Sequence, residues 1–187
     1  MAYNFLLEIL KTTLQKNKIE KLASIASEEA FSVQELINLT FHQDEQIGFR
    51  AAWILENIYT LYPERFLPAA ECFLIRFPQQ NNLSARRHYS KILALMTGRR
   101  ASPELKKALA DYDTAILVEV VFSWLIDTKV PVAVKSHCLN ILANLTERHS
   151  WIKEELIQTM GFLVDKQSIA FYAKVKQIRK QLRIFSI

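Results

Sequence analysis

The stretch VPVAVKSHCLNILANL, residues 130–145, carries the pattern that best predicts the fold. Its proline stands where a helix begins, a position at which the missing backbone N–H costs little. Apolar residues then recur at helical spacing, with Val134, Cys138 and Leu142 on one face. An apolar segment, AILVEVVFSWLI at 115–126, precedes this stretch across a short polar turn. Two helices joined in this way predict an antiparallel helical hairpin.

Three other segments can be written in register with this one. The four segments begin at Ile47, Leu83, Val132 and Ile169, and the residues three positions later are Arg50, Arg86, Lys135 and Tyr172. A period of roughly 40 residues with two helices per unit is typical of a helical solenoid, because one hairpin cannot bury its apolar face alone. We therefore predict an all-α, right-handed superhelix of four to five antiparallel hairpins. One domain would span residues 1–187, with residues 1–40 as an N-terminal cap.

Two of these units resemble the HEAT-repeat family. That family places an aspartate in the turn within the hairpin, then a proline, then a Val-Arg pair that opens the second helix. The matching residues are Pro131, Val134 and Lys135 in one unit and Asp44 and Arg50 in DEQIGFRAAWILENI at 44–58. The other two units depart, with Asn81 near the turn of one and Tyr172 in place of a basic residue in the other. The resemblance covers residues 30–185 and implies an armadillo-type α-α solenoid whose second helices line a concave binding face.

The stretch WLIDTKVPVAVK, together with the WIKEEL segment after it, also looks like small bacterial helical-repeat proteins. Some of those proteins carry the name adenylosuccinate lyase. The Gly- and Ser-rich signature loop of that lyase is absent from this sequence. We therefore interpret the lyase name as a misnaming and expect no lyase activity.

Composition restricts the class of protein further. Three glycines and five prolines are too few for the regular turns of a β-sandwich or barrel. Cys72 and Cys138 lie in apolar helical patterns, which argues against a disulfide framework and favours a reducing compartment. The first residues lack a secretory signal pattern, and no apolar run approaches the roughly 18 residues of a membrane helix. We therefore expect a cytoplasmic protein with no membrane contact.

The sequence contains no pattern for catalysis or for cofactor or metal binding. It has no glycine-rich phosphate loop and no serine in a GxSxG motif. His137 and Cys138 are adjacent, so on a helix they point about 100° apart and cannot easily share a metal ion. We therefore expect no catalytic residue, no cofactor and no metal site, and we predict that the chain is not an enzyme.

One pair of residues is compatible with a more specific activity. HEAT-like DNA alkylation-repair glycosylases use aromatic residues and an aspartate on their concave face, and Trp124 and Asp127 lie three positions apart on one helix. Base extrusion needs a fuller constellation of aromatic and acidic residues than this. Asp127 is also explained as a turn residue before Pro131. A glycosylase therefore stands as a remote variant of the nucleic-acid hypothesis.

Two basic blocks, at 86–107 and 174–183, alternate along the chain with two acidic segments. The residues that would form a binding surface are Arg86, Arg87, Lys91, Lys174, Arg179 and Lys180. If both blocks line one concave face, they could contact a phosphate backbone. A solvated surface, or cations that complement helix C-termini, explains the same charges without a partner. The leading hypothesis is a non-enzymatic module that binds a protein or peptide on the concave face, and nucleic-acid binding is the alternative.

Overall fold

The structure, a computed structural model, describes residues 2–12, 15–25 and 31–183. The helices are α1 (Ala2–Lys11), α2 (Lys16–Ser24), α3 (Val33–Leu39), α4 (Glu45–Leu61), α5 (Pro63–Phe66), α6 (Ala70–Arg76), α7 (Leu83–Met96), α8 (Pro103–Asp111), α9 (Ala115–Ile126), α10 (Val132–Leu145), α11 (Ile152–Val164) and α12 (Ile169–Gln181). Short 3-10 turns at Leu67–Ala69 and Phe77–Gln79 follow α5 and α6. The described chain is therefore helices with short connections, as predicted.

The helices are arranged as stacked hairpins in two layers. The hairpins are α3–α4, α6–α7, α9–α10 and α11–α12. The second helices pack side by side, with α7 between α4 and α10 and with α10 also against α12. We call the surface formed by α4, α7, α10 and α12 the second-helix face. This arrangement confirms the predicted all-α solenoid of antiparallel hairpins, to which α8 is an addition packed against α6 and α7.

The N-terminal part of the described chain continues this pattern. Helices α1 and α2 both pack against α4, and α3 is the partner of α4 in the first repeat hairpin. The cap predicted over residues 1–40 therefore includes one helix that pairs as a regular repeat helix. That cap and the single domain over 1–187 stay predictions, and residues 1, 13–14, 26–30 and 184–187 within them lie outside the described residues.

Most helix boundaries follow from local chemistry that the sequence shows. The Ser32 hydroxyl accepts a bond from the N–H of Glu35, and the Glu35 carboxylate accepts one from the N–H of Ser32, which together form a capping box at the start of α3. The side chains of Ser102 and Ser168 accept bonds from backbone N–H groups at the starts of α8 and α12. Thr97 ends α7, because its hydroxyl donates to carbonyls of the last turn.

Gly98 directly follows Thr97, the C-cap residue of α7, and so stands at the C′ position. Glycine at this position commonly takes the left-handed conformation. No glycine among the described residues has a positive φ. The position still suits glycine, because an added Cβ would lie 3.2 Å from the carbonyl oxygens of both Ala94 and Leu95. Close approach to the end of α7, rather than backbone handedness, is therefore the local constraint.

A continuous cluster of buried apolar side chains runs from Leu6 in α1 to Ile178 in α12. Within it, the ring centroids of Phe73 on α6 and Tyr89 on α7 are 4.9 Å apart, and this contact joins the two helices. The Tyr89 hydroxyl is satisfied inside this core by the Thr40 hydroxyl at 2.6 Å, which links two repeats. Burial raises the pKa of Tyr89, so the phenol stays protonated.

Polar contacts between repeats hold the second helices in register. Asn82 caps α7 and also donates to the carbonyl oxygen of Glu45 on α4 at 2.9 Å. At the opposite end of the second-helix face, Asn144 donates to the Thr97 hydroxyl at 3.2 Å and accepts from Gln181 at 3.0 Å. Such satisfied contacts fix the spacing of α4, α7, α10 and α12, on which the geometry of the candidate site depends.

Candidate functional site

A groove of about 520 Å³ lies on the second-helix face between α4, α7 and α10. It is lined by Phe49, Trp53, Glu56, Arg87, His88, Lys91 and His137. The α4 side of the groove is mainly aromatic, and the α7 and α10 side carries basic and imidazole groups. A concave site that combines apolar surface with a few charged groups is typical of ligand and peptide binding sites.

The aromatic side of the groove is a group of three rings. The ring centroids of Phe49 and His88 are 5.3 Å apart, and those of Phe49 and Trp53 are 6.1 Å apart. The Trp53 and His88 rings are stacked, with an interplanar angle of 17°. Phe49 and Trp53 are half-buried, so each packs against the protein and still presents surface to the groove. Aromatic rings held in this way supply contact area at a low cost in conformational entropy.

A charged cluster joins α4 to α7 at the base of the groove. The Nδ1 atom of His88 lies 2.6 Å from Oε2 of Glu56, and the ammonium of Lys91 donates to Oε1 of the same carboxylate. Burial alone would raise the pKa of Glu56, but the hydrogen bonds from His88 and Lys91 outweigh it and lower the pKa. Because a carboxylate can only accept, Nδ1 of His88 carries the proton that it shares with Glu56. The cluster therefore fixes the imidazole beneath the aromatic rings.

The pairing of Glu56 with His88 resembles part of a catalytic triad but lacks its third member. In the described part of the chain, Nε2 of His88 is buried and has no hydrogen-bond partner. No hydroxyl or thiol of the described residues is therefore bonded to it as a nucleophile would be. The pair orients a ring in the groove wall, and nothing bonded to it here could be activated for acyl transfer.

His137 of α10 forms the basic end of the groove. Burial and the positive charges of Lys91, Lys174 and Arg87 together lower the pKa of His137 to about 4, against an opposing effect of Glu56. Arg87 and Lys91 of the first predicted basic block therefore line the groove together with His137. Lys174 of the second block does not line the groove, but its charge acts on His137.

Arg86 lies apart from this group. Its Nε donates to the carbonyl oxygen of Gln80 at 2.9 Å, and its guanidinium lies 4.8 Å from the centroid of the Trp124 ring. Burial lowers the pKa of Arg86, and the charge of Asp127 opposes that effect. Arg86 therefore joins α7 to the next hairpin, although the sequence placed it beside Arg87 on the binding surface. The two neighbours differ because successive residues on a helix point about 100° apart.

Arg179 and Lys180 also do not share the direction of Lys174. Gln181 reaches Asn144 of α10, and Lys174 lies two helical turns before it on the same side of α12. Arg179 and Lys180 lie about 140° and 240° around the helix from Lys174. Of the six residues predicted as a binding surface, Arg87, Lys91 and Lys174 are therefore brought together, and the other three are not.

The residues that suggested a glycosylase have other roles in the structure. Trp124 is only 3% exposed, and its ring stacks on Phe77 with the centroids 4.9 Å apart. Asp127 accepts the backbone N–H of Lys129 at 2.9 Å, as a turn residue does. Trp124 is thus enclosed between Phe77 and Arg86, where it has no free face on which an extruded base could stack.

Sequence reasoning did not find Phe49, Trp53, Glu56 and His137 as site residues. A signal was present for the first three, since they recur at helical spacing along α4 on a side different from the buried Ala51, Ile54 and Ile58. A helix with apolar residues on one side and aromatic residues on another already has more apolar surface than its own core contact needs. The place of His137 depends on how α10 packs against α7, which the spacing within one helix does not show.

Within residues 2–12, 15–25 and 31–183, no three His, Cys, Asp or Glu residues are grouped as metal ligands would be. None of the helices that the structure describes has the length and apolar character of a membrane span.

Comparison with known proteins agrees with the architecture. The family model for the HEAT repeat domain matches residues 6–182. No curated protein matches the sequence. HEAT repeats form helical scaffolds that usually mediate interactions. The match covers nearly the whole chain and includes all four hairpins, so the chain belongs to the HEAT-repeat family.

Proposed function

We propose that this chain is a non-enzymatic interaction module that binds a protein or peptide partner in the groove of the second-helix face. The observation that carries the proposal is the groove itself, where half-buried Phe49 and Trp53 lie beside fixed charged groups. Aromatic anchors with a charged surround are the usual centres of binding energy in protein interfaces. The two cysteines, which are free, are compatible with the cytoplasmic location that the sequence favours.

Affinity capture from the source cells tests the proposal. The tagged wild-type chain is compared with a Trp53→Ala, Arg87→Glu double variant and with an Ile116→Ala variant, which changes an exposed side chain of first helix α9. We expect proteins that the wild-type and Ile116→Ala chains retain and the double variant loses. Retention of every captured protein by a folded double variant would contradict the proposed binding groove.

Nucleic-acid binding is the second candidate, supported by the three cations near His137. The test measures the affinity for single-stranded DNA, double-stranded DNA and RNA at a series of salt concentrations. Phosphate contacts would give an affinity that falls steeply with salt and that Arg87→Glu weakens. No affinity even at low salt would end this candidate and leave the protein-binding proposal standing.

A further inference from the structure

The groove has a chemical polarity that indicates what kind of partner segment it accepts. At one side, Phe49 and Trp53 offer apolar surface on α4. At the other side, Arg87 and Lys91 line the cavity together with His137, and Lys174 of α12 is near enough for its charge to act on His137. These two sides belong to one cavity, so one short ligand segment would contact both.

The cations of the basic side are not equally free. Lys91 is 41% exposed, but its ammonium is already bonded to the Glu56 carboxylate, so part of its charge is compensated within the protein. Arg87 is exposed, and no carboxylate in the described part of the chain lies within 4.0 Å of it. Among the described residues, the ammonium of Lys174 is bonded to the neutral amide of Gln177 alone, at 2.9 Å. Burial lowers the pKa of Lys174, so an arriving negative charge would relieve a desolvated cation.

We propose that the groove binds an acidic peptide segment, with a carboxylate held by Arg87 and attracted by the nearby charge of Lys174, and with an adjoining apolar or aromatic side chain on Phe49 and Trp53. This inference rests on the proposed function and specifies the partner's chemistry. An arginine can hold a carboxylate by two parallel hydrogen bonds, which gives such a contact direction as well as charge. The aromatic side would supply the larger part of the affinity, and the cations would select the partner.

A nucleic-acid backbone fits these observations less well. Arg86 is turned toward Trp124, and Arg179 and Lys180 do not share the direction of Lys174. A polyanion needs a row of cations along its path, whereas this surface offers two free cations beside an aromatic platform. A short segment with a local negative charge matches that distribution.

A display selection tests this inference separately from the proposed function. A random peptide library is selected on the full wild-type chain, and the enriched peptides are synthesised and measured against Trp53→Ala, Arg87→Glu, Lys174→Glu and the matched control Lys129→Glu. Lys129 is an exposed cation on the α9–α10 turn, away from the groove. A circular dichroism spectrum of each variant identifies any that fail to fold, and the exposed Arg87 keeps at least one charge variant interpretable.

The expected result is enrichment of peptides that carry Asp or Glu next to an apolar residue. Their affinity should fall at least about tenfold in Arg87→Glu and in Lys174→Glu, fall in Trp53→Ala, and stay within about twofold in Lys129→Glu. Neutral or basic peptides that still require Trp53 would overturn the inference and leave the proposed function intact. Oligonucleotides that bind through Arg87 while no peptide does would overturn both. If no selected peptide depends on the groove, the proposed function fails, and the inference fails with it.

Discussion

Oε2 of Glu56 on α4 lies 2.6 Å from Nδ1 of His88 on α7, and this contact ties two repeats together directly beneath the candidate groove. The same carboxylate accepts from Lys91, so one acidic side chain satisfies two basic ones in a nearly enclosed position. The contact is at once part of the packing between repeats and the support for the aromatic wall. Changes at Glu56 should therefore affect both stability and binding.

Replacement of Glu56 by glutamine should destabilise the protein. The amide keeps the size of the side chain but removes the charge that His88 and Lys91 share, and leaving such groups poorly paired costs about 1–3 kcal/mol. Urea denaturation followed by circular dichroism measures the change. Glu119→Gln, at an exposed position of α9, is the matched control and should stay within about 0.5 kcal/mol of wild type. Equal stability of the two variants would contradict the role given to the cluster.

The free energy of unfolding should depend on pH in a way that reflects the lowered pKa of His137. Its pKa is about 4 in the folded protein and about 6.5 as the ordinary value, so between these pH values the unfolded chain binds more protons. The contribution of His137 to the free energy of unfolding is therefore fully present above about pH 6.5 and decreases as the pH falls toward 4. The difference between the free energies of unfolding at pH 7 and at pH 5 should be smaller in the His137→Gln variant than in the wild-type protein. An unchanged difference between the two pH values would show that His137 is not buried among cations.

Two glycines give opposite expectations for the same substitution. At Gly48 on α4, an added Cβ would lie 2.9 Å from the carbonyl oxygen of Thr40 and 3.2 Å from Nδ2 of Asn82. We expect Gly48→Ala to cost about 1–3 kcal/mol, because the backbone contact between α4 and the preceding turn cannot yield. At Gly161 on α11 nothing lies within 4 Å, so Gly161→Ala should stabilise by about 0.5–1 kcal/mol. Thermal denaturation of both variants checks the pair, and a loss at Gly161 or a gain at Gly48 would contradict this packing.

Lys135 on α10 is buried without an evident benefit to stability. It is only 1% exposed, and its ammonium has no hydrogen-bond partner in the described part of the chain. Burial lowers its pKa, and the charge of Asp127 opposes that effect. Lys135→Met keeps the apolar stem and removes the desolvated charge, so stability should stay equal or rise by about 1 kcal/mol. Lys129→Met on the exposed turn is the control, and a loss of about 2 kcal/mol at Lys135 alone would show a contact that stabilises the ammonium.

The repeat architecture could be predicted because local and periodic signals agree. Ser32, Ser102 and Ser168 cap α3, α8 and α12, as a serine before a helix commonly does, and the four segments in register are the second helices of four hairpins. Gly98 stands at the C′ position of α7 without the left-handed conformation that a glycine there more often takes. Here the Thr97 hydroxyl bonds the last carbonyls instead.

The site could be predicted only in part, because it depends on contacts between repeats. Arg86 and Arg87 are adjacent residues of the same type, so the sequence does not distinguish them. In the structure, Arg86 contacts Trp124 of the following hairpin, whereas Arg87 stays exposed. The meeting of Lys174 with His137 likewise depends on how α12 packs against α10. Periodicity identifies which side of a helix is apolar, but it does not show which polar residues of neighbouring helices meet.

The protein's three tryptophans lie in three different environments, so their NMR signals can show where a partner binds. Trp53 lies in the groove, Trp124 is buried, and Trp151 is 51% exposed beside Phe122, which belongs to first helix α9. The measurement is a titration of the ¹⁵N-labelled chain with a captured partner or a selected peptide, followed through the three indole N–H signals. We expect the Trp53 signal to shift with saturation while the Trp151 signal stays in place. A saturable shift at Trp151 with Trp53 unchanged would contradict binding on the second-helix face.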